Sequence, residues 1–466
     1  MGPGGQTGWH RRQLTVSPSP TQTLAEWVVG SQWPQISEEA RAAASRSWLN
    51  WLGCAIGGAN DPAMDRLVLA LQPLAGNGTA PLIGRPGQTD PATAALLHAF
   101  ASNILDYDDT HWATAIHPAG PVASALAAWS SQERVSGQEV MHAFLLGMEV
   151  SCRIGLAVSP GHYEKGWHIS GTCGVFGAAV AVGRLMKLSP QQMTWALGHA
   201  ATQSAGLVAS LGTMAKSLNI AHAARSGLVA AQLARHSITA NEQALETRFG
   251  FAHVLGSGSL NDSVCEGLGK HWEAARNTFK PYPCGFLLHP ALDACLAAPD
   301  RLSVSSGAID QVDRIIVSVS PLALVRADRP HPTDALASKL STQHAVAVAL
   351  LYGDAGVQRF TDAAVCDDGA RALRAKTEVV ADDQFTAECA RVELRWRDGR
   401  SQVREICQPL DQPPLAMSNA SLTRKFRELV AHGAPHCNAD HLLATLDSFL
   451  FAPDAAELLT LTRPNA

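Results

Sequence analysis

The chain has 466 residues and a formal net charge of -5, with 46% hydrophobic and only 17% charged residues. The apolar share excludes an intrinsically disordered protein, and the length predicts two domains, because it exceeds what one hydrophobic core usually serves. The slightly acidic balance without a run of cations excludes a dedicated nucleic-acid binder, and the low charge predicts that a large subunit interface covers part of the surface.

The first 22 residues are predicted to form a disordered tail. Glycine and proline stand where a signal peptide has its apolar stretch, and the longest apolar run, CGVFGAAVAV from Cys173, is too short to cross a bilayer. The ten cysteines occur singly, without a Cys-x-x-Cys pair, and we interpret them as reduced thiols of the protein core. We therefore expect a cytoplasmic protein without a membrane anchor.

Residues 23 to 275 show the start and stop signals of helices. Asp90 and Pro91 are an N-cap followed by a first-turn proline, and Ser136 with Glu139 forms a capping box before an apolar run. Most of these helices are rich in alanine and glycine and apolar on more than one face, which is typical of helices buried on several sides. The pattern predicts a large all-helical domain.

Residues 276 to 405 show a different pattern. The run RIIVSVS at 314 to 320 alternates, RVELRWRDGRSQVREI predicts a hairpin, and KLSTQHAVAVALLYG between them is helical in period. We therefore predict a smaller α+β lid domain. Residues 406 to 466 return to helical periodicity and are expected to pack back on the first domain, so the predicted fold class is mainly α with α+β.

The common catalytic motifs are absent from the sequence. No P-loop, zinc-protease HExxH or esterase GxSxG motif occurs, so nucleotide, zinc and esterase functions lose their usual support. What remains is four polar segments within apolar surroundings. A charged group there is costly unless it is paired or used in chemistry.

The first two segments are DYDDTHWATAIHP and GHYEKGWHISGT. The first contains Asp106, Thr110 and His117, and its acids and histidines are consistent with helix capping, an oriented acid-base histidine or, least well, a metal site, since the spacing repeats no established ligand pattern. The second contains Tyr163 and His168, and it fits either an ordinary surface loop or a shaped binding loop.

The other two segments each contain a lysine. Lys216 lies between small residues in GTMAKSLNIAHAARSG, where it either extends to solvent or serves a site. Lys280 stands beside two prolines in FKPYPCGFLLHP, with His289 further on. This last segment predicts a rigid interdomain hinge, and a hinge and a site are compatible.

Together and in this order the four segments resemble the MmgE/PrpD family, whose members include 2-methylcitrate dehydratase, cis-aconitate decarboxylase and iminodisuccinate epimerase. The matching blocks are LDYDDTHWATAIHPAGPV, GWHISGTCGVFGAAVAVGRLMKL, GLVASLGTMAKSLNIAHAARSGLVAA and FKPYPCGFLLHPALDA. The resemblance implies a helical domain with a smaller α+β lid domain, a homodimer, no cofactor or metal, and a small di- or tricarboxylate as substrate.

The resemblance also implies a site between the two domains. Its matching positions are Asp106, Thr110, His117, His168, Lys216 and Lys280, with Tyr163 as a neighbour. Lysines and histidines suit several carboxylates held in a water-poor cleft.

The family reactions pass near a carbanion or enolate beside a carboxylate. We expect Lys216 and Lys280 to stabilise the developing charge, and either to act as a base if burial lowers its pKa. His117 and His168 are expected to move protons, and Asp106 to orient His117 or accept the proton itself.

Two positions depart from the decarboxylase pattern. Gly285 stands where that branch has a histidine, and His344 in STQH stands where it has a tyrosine. Because an epimerase needs only two proton-transfer groups, we first expect epimerisation of iminodisuccinate or a similar amino- or imino-dicarboxylate, with Lys280 or Tyr163 opposite a histidine or lysine. Thr110, His289 and His344 are expected to contact the substrate. The alternatives are a 2-methylcitrate-type dehydratase, a cis-aconitate-type decarboxylase and a catalytically silent scaffold.

Overall fold

The computed structural model describes residues 18–256, 258, 260, 262–407 and 417–464. Helices make up 57% of the structure and strands 9%, which confirms the predicted mainly α fold with an α+β part. The helices and strands of the first half are α1 (Pro20–Gly30), α2 (Glu38–Gly57), α3 (Pro62–Leu71), β1 (Ala80–Pro81), β2 (Gln88–Thr89), α4 (Pro91–Ile104), β3 (Asp109–His111), α5 (Ala119–Ser130), α6 (Gly137–Val158), α7 (Gly161–Glu164), α8 (Ile169–Leu185), α9 (Pro190–Thr202), α10 (Ala215–Arg235), α11 (Phe251–Leu255) and β4 (Asn277–Phe279).

The second half mixes helices with the longer strands. Its elements are α12 (His289–Leu296), β5 (Val312–Val319), α13 (Pro321–Ala327), α14 (Ala335–Ser338), α15 (Thr342–Tyr352), α16 (Asp362–Cys366), α17 (Asp368–Arg374), β6 (Thr377–Ala381), β7 (Cys389–Trp396), β8 (Ser401–Cys407), α18 (Asn419–Gly433), α19 (Ala439–Asp447) and α20 (Ala456–Thr460). Short 3-10 turns lie at Trp33–Gln35, Val208–Ser210, Asp262–Cys265, Glu273–Arg276, Phe286–Leu288, Ser306–Gln311, Val357–Arg359 and Phe449–Phe451.

The caps behave as the sequence predicts, and one of them shortens the predicted tail. The Glu139 carboxylate accepts from the Ser136 N–H at 2.9 Å, which completes the predicted capping box. A similar box of Ser19 and Gln22 starts α1 at Pro20. Residues 20 to 22 are therefore helical rather than part of a tail. The rest of the predicted tail, through residue 17, lies outside the described residues.

The helical core is built around α8. This helix packs against α5, α6, α9 and α10, and its glycines allow the closest approaches. A side chain at Gly177 would overlap the Gly147 carbonyl oxygen and the Ser151 hydroxyl of α6. The alanine and glycine content of these helices therefore reflects short interhelical distances.

The longest core helix, α6, has the length and composition of a membrane span. Its apolar window has a mean hydropathy of 1.3, but 89% of that window is buried inside the protein. Core helices of this kind pass the same test of length and hydropathy. Its burial accounts for its apolar composition without a bilayer.

A second hydrophobic core forms around a four-stranded sheet. The strand order is β6-β5-β7-β8, with β5 and β6 parallel and the other pairs antiparallel. Helices α12 and α15 cover this sheet. After it, α18 returns to the helical core, where Phe426 and Leu429 pack against Gly53 and Gly57 of α2.

The prediction of ten reduced core thiols is wrong in part. Cys389 and Cys407 lie directly opposite each other on β7 and β8 and form a disulfide. Cys366 is exposed. The buried free cysteines are Cys54, Cys152, Cys173, Cys284 and Cys295. Spacing along the chain could not reveal the pair, because the strand register creates it.

Candidate active site

A two-stranded ribbon joins the first polar segment to the fourth. Strand β3 pairs antiparallel with β4, with Asp109 opposite Phe279. Because Asp106 precedes β3 and Lys280 follows β4, the pairing brings these two side chains together. The Lys280 ammonium donates to the Asp106 carboxylate at 2.6 Å.

Asp106 is the centre of a buried cluster of charges. Its backbone is in the left-handed region, with φ at 55°, which an aspartate tolerates better than most residues. The same carboxylate oxygen that binds Lys280 also accepts from the ammonium of Lys216, in the first turn of α10. Burial alone would raise the pKa of Asp106, but the two ammonium groups hold it well below its usual range. Asp106 is therefore a carboxylate clamped by two cations.

Lys280 is fixed as a cation by the same cluster. Burial would lower its pKa, but Asp106 and the nearby Asp108 outweigh burial and raise it. Lys280 therefore remains protonated near neutral pH, which contradicts the expectation that burial turns it into a base.

His117 presents a proton acceptor. Its Nδ1 lies 2.6 Å from the Asp109 carbonyl oxygen and 3.2 Å from the Thr110 hydroxyl. Because a carbonyl oxygen only accepts, Nδ1 carries the proton and Nε2 keeps its lone pair. Burial lowers the pKa of His117, although Asp108 opposes this effect. The imidazole is therefore neutral and able to take a proton at Nε2.

His168 presents the opposite tautomer. It is the N-cap of α8, and its Nδ1 accepts from the Gly171 N–H at 3.3 Å, so Nε2 carries the proton. Burial lowers the pKa of His168 to about 3, with further contributions from His117 and Lys216. The Ser170 hydroxyl accepts from the backbone N–H of His117 at 2.9 Å and thereby links the first two segments. The two histidines thus offer one acceptor and one donor.

These residues line one cavity of about 320 Å³ between the two parts of the chain. Residues before 276 contribute six predicted positions: Asp106, Thr110, His117, Tyr163, His168 and Lys216. Residues 276 to 405 contribute the seventh, Lys280, together with Gly285, Arg326, Arg329 and Lys339. Arg326 lies 3.4 Å from the Tyr163 hydroxyl, a contact between the two parts. The four polar segments therefore meet in one cationic cleft.

The structure separates His344 from this cavity. At the start of α15 its Nε2 donates to the Arg359 carbonyl at 2.7 Å, and its Nδ1 accepts from Arg374 at 3.0 Å. Both ring nitrogens are thus used inside the α+β part. His344 is not among the residues that line the cavity, so the structure does not support its predicted contact with substrate.

His289 is also placed elsewhere. Its Nε2 lies 3.3 Å from the Cys284 carbonyl oxygen, and its ring packs against Tyr282. It lines a larger groove of about 1580 Å³, which shares Thr110 and Lys280 with the smaller cavity. Helix α12 begins at His289, and His289 is not among the residues that line the smaller cavity.

Two buried lysines were missed in the sequence. Lys339 lines the cavity and donates to the Ile104 carbonyl at 2.8 Å. Lys425 lies behind the cavity and donates to the carbonyls of Tyr107 at 2.7 Å and Lys280 at 2.9 Å. Lys425 had a detectable signal, because it occupies the apolar face of α18. Lys339 had no such signal.

Two other polar residues of the first segment, Asp108 and His111, bind neighbouring side chains. Asp108 accepts from Asn103 at 2.7 Å, and His111 lies 3.1 Å from a Glu273 oxygen. Within the described ranges, no group of three or more His, Cys, Asp or Glu side chains is placed to hold a metal ion. The arrangement is suited to proton transfer and anion binding.

The chain is similar to known proteins over most of its length. The MmgE/PrpD N-terminal domain profile matches residues 22–262, and the MmgE/PrpD C-terminal domain profile matches residues 282–447. The cis-aconitate decarboxylase-like protein oryM of Aspergillus oryzae is 26% identical over 95% of this chain and 96% of its own. The cis-aconitate decarboxylase of Aspergillus terreus is 25% identical over 88% of this chain and 89% of its own, and that of Mus musculus 26% over 73% and 72%. The chain therefore belongs to the MmgE/PrpD family.

Proposed function

We propose that the chain is a cofactor-independent lyase for a small polycarboxylate, with decarboxylation of a cis-aconitate-type tricarboxylate as its first candidate reaction. The observation that carries this proposal is the Lys216–Asp106–Lys280 cluster in one cavity with an acceptor and a donor histidine. The names of the relatives favour decarboxylation over the epimerisation first expected from Gly285.

The geometry suits the charge changes of decarboxylation. When the bond to a departing carboxylate breaks, carbon dioxide leaves and the electron pair spreads towards a remaining carboxylate. Lys216 and Lys280 are cations that stabilise this developing charge in a desolvated cavity. The His168 Nε2–H can then protonate the carbon, because a carbanion is basic enough to take a proton from a neutral imidazole.

Epimerisation is the second candidate, and one observation favours it. Gly285 lines the cavity where the decarboxylase pattern has a histidine, so one proton-moving side chain is missing from the wall. His117 and His168 already supply an acceptor and a donor, which is what an epimerase of iminodisuccinate or a similar compound needs. A 2-methylcitrate-type dehydratase needs a further acid for the departing hydroxyl, so the absence at Gly285 disfavours it.

One experiment separates these functions. The purified protein is incubated in deuterium oxide with cis-aconitate, 2-methylcitrate and iminodisuccinate, and the products are followed by NMR. Released carbon dioxide with deuterium in the product supports the proposal. Exchange with inversion supports epimerisation, and loss of water supports dehydration. No reaction with any substrate supports the scaffold alternative and contradicts the proposed lyase.

Assembly and location remain proposals of the same kind. We infer a homodimer, because only 17% of the residues are charged. A cytoplasmic location also stays a prediction. The argument from reduced thiols does not extend to Cys389 and Cys407, which form a disulfide.

A further inference from the structure

Lys339 is a buried cation on the cavity wall without a carboxylate partner. Its exposed fraction is 5%, and one of its three possible hydrogen bonds goes to the Ile104 carbonyl. Asp106 binds Lys216 and Lys280, but no carboxylate in the described part of the chain lies within 4.0 Å of the Lys339 ammonium. A buried charge without a counter-charge is costly, so this position calls for an anion.

The surroundings of Lys339 leave room for that anion. The Lys339 carbonyl accepts from the Gly285 N–H at 2.9 Å, which holds the glycine beside the lysine on the same wall. The space for the anion is the cavity of about 320 Å³ that both residues line, since a Cβ at Gly285 would lie only 3.2 Å from Leu340. The Ile104 carbonyl lies at the end of α4 and orients the ammonium without neutralising it.

We propose that Lys339 binds the additional carboxylate that distinguishes a tricarboxylate substrate from a dicarboxylate. This inference rests on the proposed function, because it assigns a specificity-determining residue to the same cavity. Lys216 and Lys280 bind the two carboxylates on the double bond, towards which the electron pair spreads, and Lys339 binds the carboxylate of the third arm on the Gly285 side.

The proposal has a consequence for protons. Burial lowers the pKa of Lys339 to about 8, with opposing contributions from Asp61 and Asp106. A bound carboxylate favours the charged form and raises the pKa, so tricarboxylate binding at pH 8 takes up part of a proton. Above that pH the affinity falls as pH rises, because a neutral amine no longer attracts the carboxylate.

Other charged and titratable groups face Lys339 and must be separated from it. These groups are Asp61, Asp106, Lys216, Cys284 and His432. Burial raises the pKa of Cys284 well above its usual value, so that thiol stays neutral in this pH range. A variant that removes only the Lys339 ammonium isolates its contribution.

The test uses a matched pair of probes, tricarballylate and methylsuccinate. Neither has the double bond that the proposed decarboxylation needs, so binding is measured without turnover. Methylsuccinate keeps two carboxylates and replaces the third arm with a methyl group. Calorimetry at pH 8, in buffers of different ionisation enthalpy, measures affinity and proton uptake for both. In the wild type we expect tighter binding of tricarballylate with proton uptake. Lys339→Met should weaken tricarballylate by about tenfold or more, leave methylsuccinate within about twofold, and abolish the uptake.

Two further variants control the measurement. Lys339→Arg keeps a permanent cation and should retain the preference for tricarballylate without the alkaline loss. Lys376→Met removes another lysine that donates to a carbonyl, that of Val312, remote from the cavity, and should bind like the wild type. Thermal melts of all variants verify folding.

The outcomes distinguish the two proposals. If the wild type binds neither probe, the Lys339 inference is overturned, and turnover in the deuterium oxide experiment decides the proposed function independently. If the wild type binds tricarballylate and Lys339→Met keeps its preference and its proton uptake, the inference alone is overturned. Equal weakening of both probes by Lys339→Met also overturns it, since the lysine would then not select the third carboxylate.

Discussion

At the scale of single residues, the site depends on how one carboxylate is shared. Asp106 accepts from both Lys216 and Lys280, and both Asp106 and Lys280 are buried. The sharing makes the three positions unequal. Removing one lysine leaves Asp106 with a partner, whereas removing the Asp106 charge takes the closest counter-charge from both ammonium groups and leaves Lys280 with only Asp108 at 4.0 Å.

This asymmetry predicts different effects of substitution. Asp106→Asn should destabilise the protein by about 3–5 kcal/mol, because two buried cations lose their counter-charge. Lys280→Met and Lys216→Met should change stability much less, yet lower turnover by about 100-fold or more, because the developing charge loses a cation. Chemical denaturation and steady-state kinetics measure both effects. Equal melting temperatures for the asparagine and lysine variants would contradict this account of the cluster.

The contacts of single residues also explain why the sequence placed His344 and His289 in the site. Histidine spacing in STQH and FLLHP does not show which way a side chain faces. His344 binds Arg359 and Arg374, and His289 lies next to the Cys284 carbonyl, so neither side chain lines the cavity. A prediction follows for His344.

His344→Ala should lower stability more than it changes substrate affinity. The substitution leaves a buried Arg374 donor and an Arg359 carbonyl without their partner. We expect a reduced melting temperature and a KM within about twofold of the wild type. A KM raised tenfold at unchanged stability would return His344 to the substrate site.

At the scale of elements, α18 supports the segments that contain Asp106 and Lys280. Its Lys425 donates to the carbonyls of Tyr107 and Lys280 and lies 3.9 Å from the centre of the Tyr107 ring. One side chain thus bridges the segment that carries Asp106 and the segment that carries Lys280. Burial lowers the pKa of Lys425 to about 8, so keeping this charge buried costs stability.

Lys425→Met is therefore predicted to separate activity from stability. We expect a melting temperature equal to or above that of the wild type, because a buried charge is removed, and a kcat reduced by about tenfold, because the two segments lose their common support. Arg427→Ala on the same helix removes only an exposed ion pair with Asp440 and serves as the control. Unchanged kcat in Lys425→Met would show that the ribbon of β3 and β4 positions the site without α18.

At the scale of the whole molecule, two hydrophobic cores meet at the cavity. The helical core includes residues from both ends of the described chain, and the sheet core lies between them in sequence. Lys216 of the helical part and Lys339 of the α+β part line the same cavity, so a substrate bound there would contact both parts. A tricarboxylate that bridges the two parts should stabilise them together.

The proposed homodimer belongs to this scale. Light scattering at micromolar concentration should give twice the chain mass of 49.2 kDa. The physical reason is the low charge of the chain, which leaves an apolar surface that a stable interface of about 2,000 Å² or more would bury. A monomer under these conditions would contradict the inference.

The sequence by itself determined the fold class, the helix caps and the four segments that supply the cavity. Such features depend on local composition and periodicity, and Ser136 with Glu139 needs only its own neighbours to cap a helix. The family resemblance selected Asp106, Lys216 and Lys280 from many polar residues.

Only the tertiary structure decided which groups face one another. The register of β7 against β8 paired two cysteines, burial and two lysines together fixed the charge of Asp106, and Lys339 joined the cavity from a segment without a motif. The physical reason is that protonation, tautomer and pairing depend on neighbours distant in sequence, and those neighbours are set only when the two cores pack.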